Sequence, residues 1–297
     1  MNLICAQKLR WSGQVEDRQN DIRISFILTT MNRAQDLKFA LNRVREYKRS
    51  TDELIIIDGD STDATPAVLE EFKDLVDILV SEPDRSSSHA QNKGFLLARG
   101  RYIRHVTDDD ELNISEFERA IDVLDSHPEI DLLVCGGTKM MNGQSWSVWL
   151  PPGTNYGKST DDPFKYGAAG VGFIVRRSSL SLIGLHPVGA AADGEYVAQA
   201  IAIGANVRFC RVNLFLHSMN ADSHIFKHRK RHRRHMREIE KRYASFSYRN
   251  TYHWRNFKSM YSRSPFALHL ARRYRRFVLR RPVGSVPLQK NWDGGLS

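Results

Sequence analysis

Residues 100–113 read GRYIRHVTDDDELN, a short apolar-leaning run that ends in three consecutive aspartates, Asp108, Asp109 and Asp110. Like charges repel, and a solvated turn needs only one such side chain. Asn113, with Glu116 three residues on, has the spacing of a capping box that opens a helix at NISEFERA. The cap accounts for the helix after the triplet but not for the triplet. A hard divalent cation would, because Mg2+ and Mn2+ gather carboxylate and phosphate oxygens together. The run RYIRHVT is then a strand that delivers carboxylates to one end of a sheet.

Upstream, the chain alternates in the same style. IRISFILTT (22–30) is a buried strand, and NRAQDLKFALNRVREY (32–47) is a helix with Asn32 as its N-cap and Leu37, Ala40, Leu41 and Val44 on one face. DELIIID (52–58) is a second strand. STDATPAVLEEFKDLV (61–76) is a second helix, opened by Asp63 and Thr65 with Pro66 in its first turn. VDILVSEP (76–83) is a third strand. SHAQNKGFLLARG (88–100) is a third helix, closed by Gly100. Four such alternations predict a parallel sheet with helices on both faces. Ligands of these sheets bind beyond the carboxyl ends of the strands. Thr29, Thr30, Asp58, Gly59, Asp60, Glu82, Asp84 and the aspartate triplet all fall there. The chain has no GxxxxGK[ST] loop and no GxGxxG after its first strand, which excludes an ordinary phosphate-loop ATPase or nicotinamide enzyme.

Bulk composition sets the frame. The 297 residues suffice for one large α/β domain with an appendage, or for two domains, and 41% of them are hydrophobic. Cys5, Cys135 and Cys210 are far apart and odd in number, so neither a zinc site nor a disulfide framework is expected and a reducing cytoplasm fits. No secretory leader and no apolar run of spanning length is visible. The net charge of +10 is unevenly distributed: residues 227–281 hold 19 Lys and Arg against two Glu, leaving the remainder at −7. A basic segment of that size implies an anionic partner.

Four ordered motifs resemble those of the family 2 glycosyltransferases: ILTTMNRA, IIIDGDSTDAT (55–65), AQNKGFLLARGRYI (90–103) and HVTDDDEL, with SEPDRSSSHAQNKG similar to a variant of bacterial surface-polysaccharide transferases. The resemblance runs over residues 22–225. It departs from the family at Thr30 and Met31, where a proline and a tyrosine are usual, and at Gly59, which displaces the second aspartate of the nucleotide motif to Asp60.

The resemblance implies a GT-A fold, a Rossmann-like, mostly parallel sheet flanked by helices. It divides the chain into a lead-in (1–21), a catalytic domain (22–225) and a basic helical arm (226–297). It implies a nucleotide-sugar donor carrying UDP, GDP or dTDP, a glycan or lipid-linked acceptor, and inversion with Mg2+ or Mn2+. Carried over by position, Thr29, Thr30, Asn32, Asp58, Asp60 and Asn92 face the nucleotide. Asp108 and Asp110 are the outer carboxylates of a DxD metal motif, with Asp109 as the alternative register, and His217 or His224 completes the metal site. GAAADGEYVAQAIAIGANV (189–207) resembles the helix that carries the general base, which makes Asp193 the catalytic residue and Glu195 its runner-up, while YGAAGVGFIVRRSSL (166–180) resembles the strand lining the acceptor.

The arm opens with FKHRKRHRRHMREIEKR (226–242), read as a solvated basic helix with His228, His232 and His235 on one face. SPFALHLARRYRRFVLRRP (264–282) puts Leu270, Ala271, Tyr274, Phe277 and Val278 between arginines, the pattern of a helix lying on anionic lipid. Hence the expected place is the cytoplasm, peripheral at the inner membrane face. A nucleic-acid-binding protein acting through the arm is the alternative from another class, although the organised acidic strand ends have no use there and no specific nucleic acid is expected.

Overall fold

Strand and helix alternate as the apolar periodicity requires. β1 (Ile24–Thr30), α1 (Ala34–Tyr47), β2 (Glu53–Asp58), α2 (Thr65–Glu71), β3 (Ile78–Ser81), α3 (Ser87–Leu97) and β4 (Tyr102–Val106) follow one another. The computed structural model describes residues 22–249, apart from 109, 142–143, 152, 154, 190 and 220–228. The described residues up to Ser245 fall in one compact unit, and a second unit begins at Phe246. The apolar stripe of the arm, His224 and His228 lie outside the described residues.

The strands stand in the order β3-β2-β1-β4 with every neighbour parallel. β2 and β4 are buried along their whole length, as a parallel sheet covered on both faces demands. α1 covers one face with Leu37, Ala40, Leu41 and Val44, the spacing of an amphipathic helix. α3 covers the other face with Ala90 and Phe95. Two apolar cores result, one around Phe26, Leu41, Ile56 and Phe117, the other around Ile27, Ile57, Phe95 and Tyr196.

Past β4 the chain runs through β5 (Asp110–Leu112), α4 (Ile114–Ser126), β6 (Leu132–Met141), β7 (Gln144–Trp149), α5 (Asp162–Tyr166), a 3-10 turn at Gly170–Gly172, β8 (Phe173–Arg176), α6 (Leu180–Ile183), α7 (Ala192–Ala202), β9 (Val207–Met219) and α8 (Arg229–Tyr243). β8 continues the sheet antiparallel to β4, then β6, β9 and β5 follow, with β7 paired to β6. β6 and β9 are parallel, and β5 is antiparallel to β9.

Several local expectations are replaced. The acidic triplet is not merely the end of β4, because Asp110 enters a further strand, β5, directly opposite His217. Asn32 does not cap α1. It sits at φ 53°, and its Oδ1 accepts from the Thr62 and Asp63 amides at 2.8 and 3.3 Å, while Asp63 Oδ2 accepts from the Ala34 amide at the start of α1. Gly100 does not close α3, which already ends in extended backbone at Ala98. Its amide donates to Ser25 Oγ at 2.8 Å and ties β4 to β1. Asn113 does cap α4, accepting from the Glu116 amide. The Glu116 carboxylate completes no box, and accepts instead from the Asn213 amide of β9. Cys135 and Cys210, distant in sequence, are register partners on β6 and β9 and interact through their thiols.

Candidate active site

The carboxyl ends of β1, β2 and β4 meet at one edge of the sheet. Thr30, the last residue of β1, donates from Oγ1 to Asp108 Oδ2 at 3.3 Å. Arg33, just beyond β1, places Nη1 2.9 Å from Asp108 Oδ1 and pairs also with Asp36. Asp108 is buried, and both its oxygens are engaged. Thr29 reaches the other way, with Oγ1 3.2 Å from His105 Nε2.

Asp58 ends β2 fully buried. Its carboxylate accepts from the Ser61 amide, the Ser61 hydroxyl and the Ser81 hydroxyl, so it fixes the turns after β2 and β3. Asp60 is exposed in the left-handed region at φ 66°. Asn92 of α3 neither points into solvent nor stands alone. Its Oδ1 accepts from the His186 amide and its Nδ2 donates to the His186 carbonyl, both at 2.9 Å. Lys93 neutralises Glu82 and Asp84, 3.1 and 2.7 Å away. A cavity of about 100 Å3 beside α2, lined by Leu69, Leu79, Ser81 and Asp58, touches the site only through Asp58 and is too small for a nucleotide.

The register of β5 on β9 sets the metal question. Asp110 Oδ1 lies 2.6 Å from His217 Nδ1, 107 residues later in the chain. Asp110 Oδ2 is buried and has no hydrogen-bond partner among the described residues. A buried carboxylate oxygen left bare is costly, since its desolvation is not offset. Among the described residues no three His, Cys, Asp or Glu come together as a ligand set. One carboxylate and one imidazole are nevertheless compatible with Mg2+ or Mn2+, which take few protein ligands and fill their remaining positions with water and phosphate oxygens. Asp109 and His224 lie outside the described residues.

The second half of the site forms where α7 meets the turn before β8. Asp193, in the first turn of α7, is half-buried, and its Oδ2 accepts from the Gly170 amide at 2.9 Å. A Cβ on residue 170 would stand 2.9 Å from Asp193 Oδ1, so a larger residue there would make the carboxylate shift on this turn. Burial raises the Asp193 carboxyl above its ordinary pKa, and the Gly170 amide and His232 pull it partly back. The same turn is tied to β4: Arg104, buried in that strand, donates from Nη1 to the Val171 carbonyl at 2.7 Å. Arg104 thus links the turn under Asp193 to the strand that leads to Asp108 and Asp110. Burial lowers its pKa, and Asp110 is among the charges that pull it back up.

Glu195 differs from Asp193. It is buried, with Oε2 3.2 Å from His235 Nε2 and Oε1 2.8 Å from Arg242 Nη1. An acid held by an imidazole N–H and a guanidinium is a poor base for an incoming hydroxyl. The basic helix α8 is accordingly not solvated all round. His232 and His235 turn towards α7, while Arg231, Arg233, Arg234 and Arg237 face outwards.

Sequence reasoning gives no role to Arg33 or Arg104, and reads His235 only as part of a solvated face. Arg104 carried a signal, being an arginine in the middle of an apolar strand. Arg33 lies within the motif ILTTMNRA. The buried role of His235 carried none, because its partners Glu195 and Ala191 lie 40 and 44 residues upstream.

Known proteins share this fold. Residues 25–184 match the model of "Glycosyl transferase family 2". The succinoglycan biosynthesis protein ExoO of Rhizobium meliloti is 28% identical over 104 residues, 35% of this chain and 30% of its own. Among solved structures, residues 1–349 of TarS from S. aureus in complex with UDP-GlcNAc superpose with a TM-score of 0.54 at 16% identity, covering 68% of this chain and 60% of that one. Mannosyltransferase PcManGT from Pyrobaculum calidifontis, in complex with GDP-Man and Mn2+, superposes with a TM-score of 0.54 at 18% identity, covering 91% and 78%. The chain thus spans about a third of the curated relative and three fifths of the TarS fragment. Their likeness bears out the α/β fold of GT-A type.

Proposed function

The chain belongs to glycosyl transferase family 2, and from that premise we propose that it transfers a sugar, with inversion, from a UDP-, GDP- or dTDP-linked donor to a hydroxyl of a glycan or lipid-linked acceptor. The observation that carries this reading is Asp110. Its Oδ1 is on His217 and its Oδ2 is buried without a partner among the described residues, at the edge where three parallel strands end.

Asp110 and His217 would hold Mg2+ or Mn2+, with Asp109 as a further carboxylate. Such a cation neutralises the charge that builds on a departing diphosphate. Asp108, expected from the sequence as an outer metal carboxylate, has both oxygens held by Thr30 and Arg33, and is proposed here to face the nucleotide from the same strand end. Arg33 is a second positive charge for the diphosphate. Asn32 and Asp58 shape the nucleoside side by fixing the loops after β1 and β2, with Asp60 exposed beside them, while Thr29 and Asn92, expected there from the sequence, are engaged with His105 and His186 instead. In the transfer, Asp193 takes the proton from the acceptor hydroxyl. The oxygen bonds to the anomeric carbon as the bond from that carbon to the diphosphate breaks, and the nucleoside diphosphate leaves.

Nothing in the acidic strand ends serves nucleic-acid binding, so the arm-driven alternative has no observation in its favour. Among the described residues no helix is long and apolar enough to cross a membrane. The +17 segment 227–281 is the part that would meet an anionic membrane surface, which supports a peripheral position at the inner face.

The test uses two variants of the full chain and a panel of nucleotide-sugars. Asp110→Asn should abolish the stabilisation that a nucleoside diphosphate gives with Mn2+, read by thermal shift. Asp193→Asn should keep that stabilisation and lose transfer by about 10²–10⁴-fold, the span of general-base removal. Stabilisation by nucleotide that is equal with and without metal, or an Asp193→Asn enzyme of full activity, would refute the reading.

A further inference from the structure

The helix α8 begins 45 residues beyond the matched family region, yet it makes specific polar contacts with the turn that carries Asp193. Ile239 is its buried apolar anchor. His235 sits at the junction and makes three contacts. Its Nδ1 accepts at 3.1 Å from the Ala191 amide, the N–H immediately before α7. That bond fixes the ring proton on Nε2, which faces Glu195 Oε2 at 3.2 Å. The ring also lies so close over Gly189 that a Cβ there would collide with it. Arg242, two turns on, closes the other oxygen of Glu195 at 2.8 Å.

These contacts bracket Asp193. Ala191 is two residues before it and Glu195 two residues after, and both are held from α8. Ala191 has no polar side chain with which to satisfy the first amides of α7 itself, and α7 shows no side-chain N-cap of its own. The imidazole takes the N-cap amide itself, the one that the N3 carboxylate of a capping box would accept and that Gly194, at N3 here, cannot. His232, one turn before His235, lies near enough to the Asp193 carboxylate to interact with its charge.

We infer that His235 is a positioning residue for transfer: by capping the Ala191 amide and holding Glu195, it sets the first turn of α7 and thereby the Asp193 carboxylate. The inference rests on Asp193 being the base. It also makes α8 a working part of the acceptor side and not only a bearer of charge.

The test compares His235→Ala, His235→Asn and His235→Leu in the full chain. Asparagine places an acceptor oxygen where Nδ1 stands, whereas leucine fills the volume without one. In His235→Ala and His235→Leu, kcat should fall about 10–100-fold with the donor KM unchanged, the scale of a displaced catalytic group. Amide hydrogen exchange over residues 191–197 should speed up, while exchange over β1–β4 stays as in the wild type. His235→Asn should restore most of both. Equal behaviour of the asparagine and leucine variants, or an alanine variant with wild-type kcat and wild-type exchange at 191–197, would overturn the inference. If His235→Ala fails to fold, the asparagine and leucine pair decides. A wild-type enzyme that transfers from no nucleotide-sugar would overturn the transfer reading itself. Faster exchange confined to 191–197 would still show His235 holding that turn.

Discussion

At the scale of the residue, Asp193 joins geometry and titration. As the proposed base it would act only when deprotonated, and burial raises this carboxyl above the ordinary range. Transfer should therefore fall, as pH is lowered, at a higher pH than an exposed aspartate would dictate. A pH–rate profile of kcat/KM reads the limb directly. Gly170→Ala should lower kcat by about 10–100-fold and leave donor affinity intact, because the new Cβ would press on Asp193 Oδ1 at 2.9 Å. An unchanged kcat in that variant would show that the carboxylate does not need the turn. The acids of this site were legible in the sequence, since three in a row at a strand end have few structural uses. Their partners were not. Arg33 closes on Asp108 and Arg104 on Val171 across 75 and 67 residues, distances at which spacing says nothing.

At the scale of the element, periodicity was a good guide to existence and a poor one to ends. α1 buries the four residues its spacing indicates. Its start was misjudged because Asn32, a good cap by composition, spends its side-chain oxygen on Thr62 and Asp63 of another loop. α3 shows the same competition. Gly94 lets the helix lie against Ile27, and Asn92, on the same helix, grips the backbone of His186 instead of facing solvent. Asn92→Ala removes both bonds and leaves the His186 amide and carbonyl short of partners. It should cost about 1–3 kcal/mol in urea unfolding. Asn92→Asp keeps one acceptor and should cost less. An alanine variant as stable as the wild type would mean that the segment before α7 is held by other contacts.

At the scale of the whole molecule, two buried histidines, His105 and His186, contribute to the acid response. Burial lowers both to about 3, from an ordinary value of 6.5. Between those values the unfolded chain binds protons that the folded chain refuses, so stability rises with pH in that window and is lost as pH falls through it. Each histidine contributes a slope of about 1.4 kcal/mol per pH unit. His186 is stacked 4.0 Å from Tyr196, so His186→Phe should keep the packing and flatten the fall of the urea midpoint between about pH 6 and pH 4 by one proton. A variant with the wild-type slope would place the titration elsewhere. The parallel half of the sheet was legible because each βαβ unit is local in sequence. The other half was not, since β9 pairs with both β6 and β5 after long excursions of the chain. That topology also orders the protein in time. At roughly 5–20 residues per second of synthesis, the 107 residues from Asp110 to His217 occupy about 5–20 s. Throughout that interval the nascent chain already has the four parallel strands and their nucleoside-side loops, while Asp110 still lacks both its neighbouring strand and its imidazole. The proposed pairing of Asp110 with His217 therefore cannot form until nearly all of residues 22–225 have been synthesised.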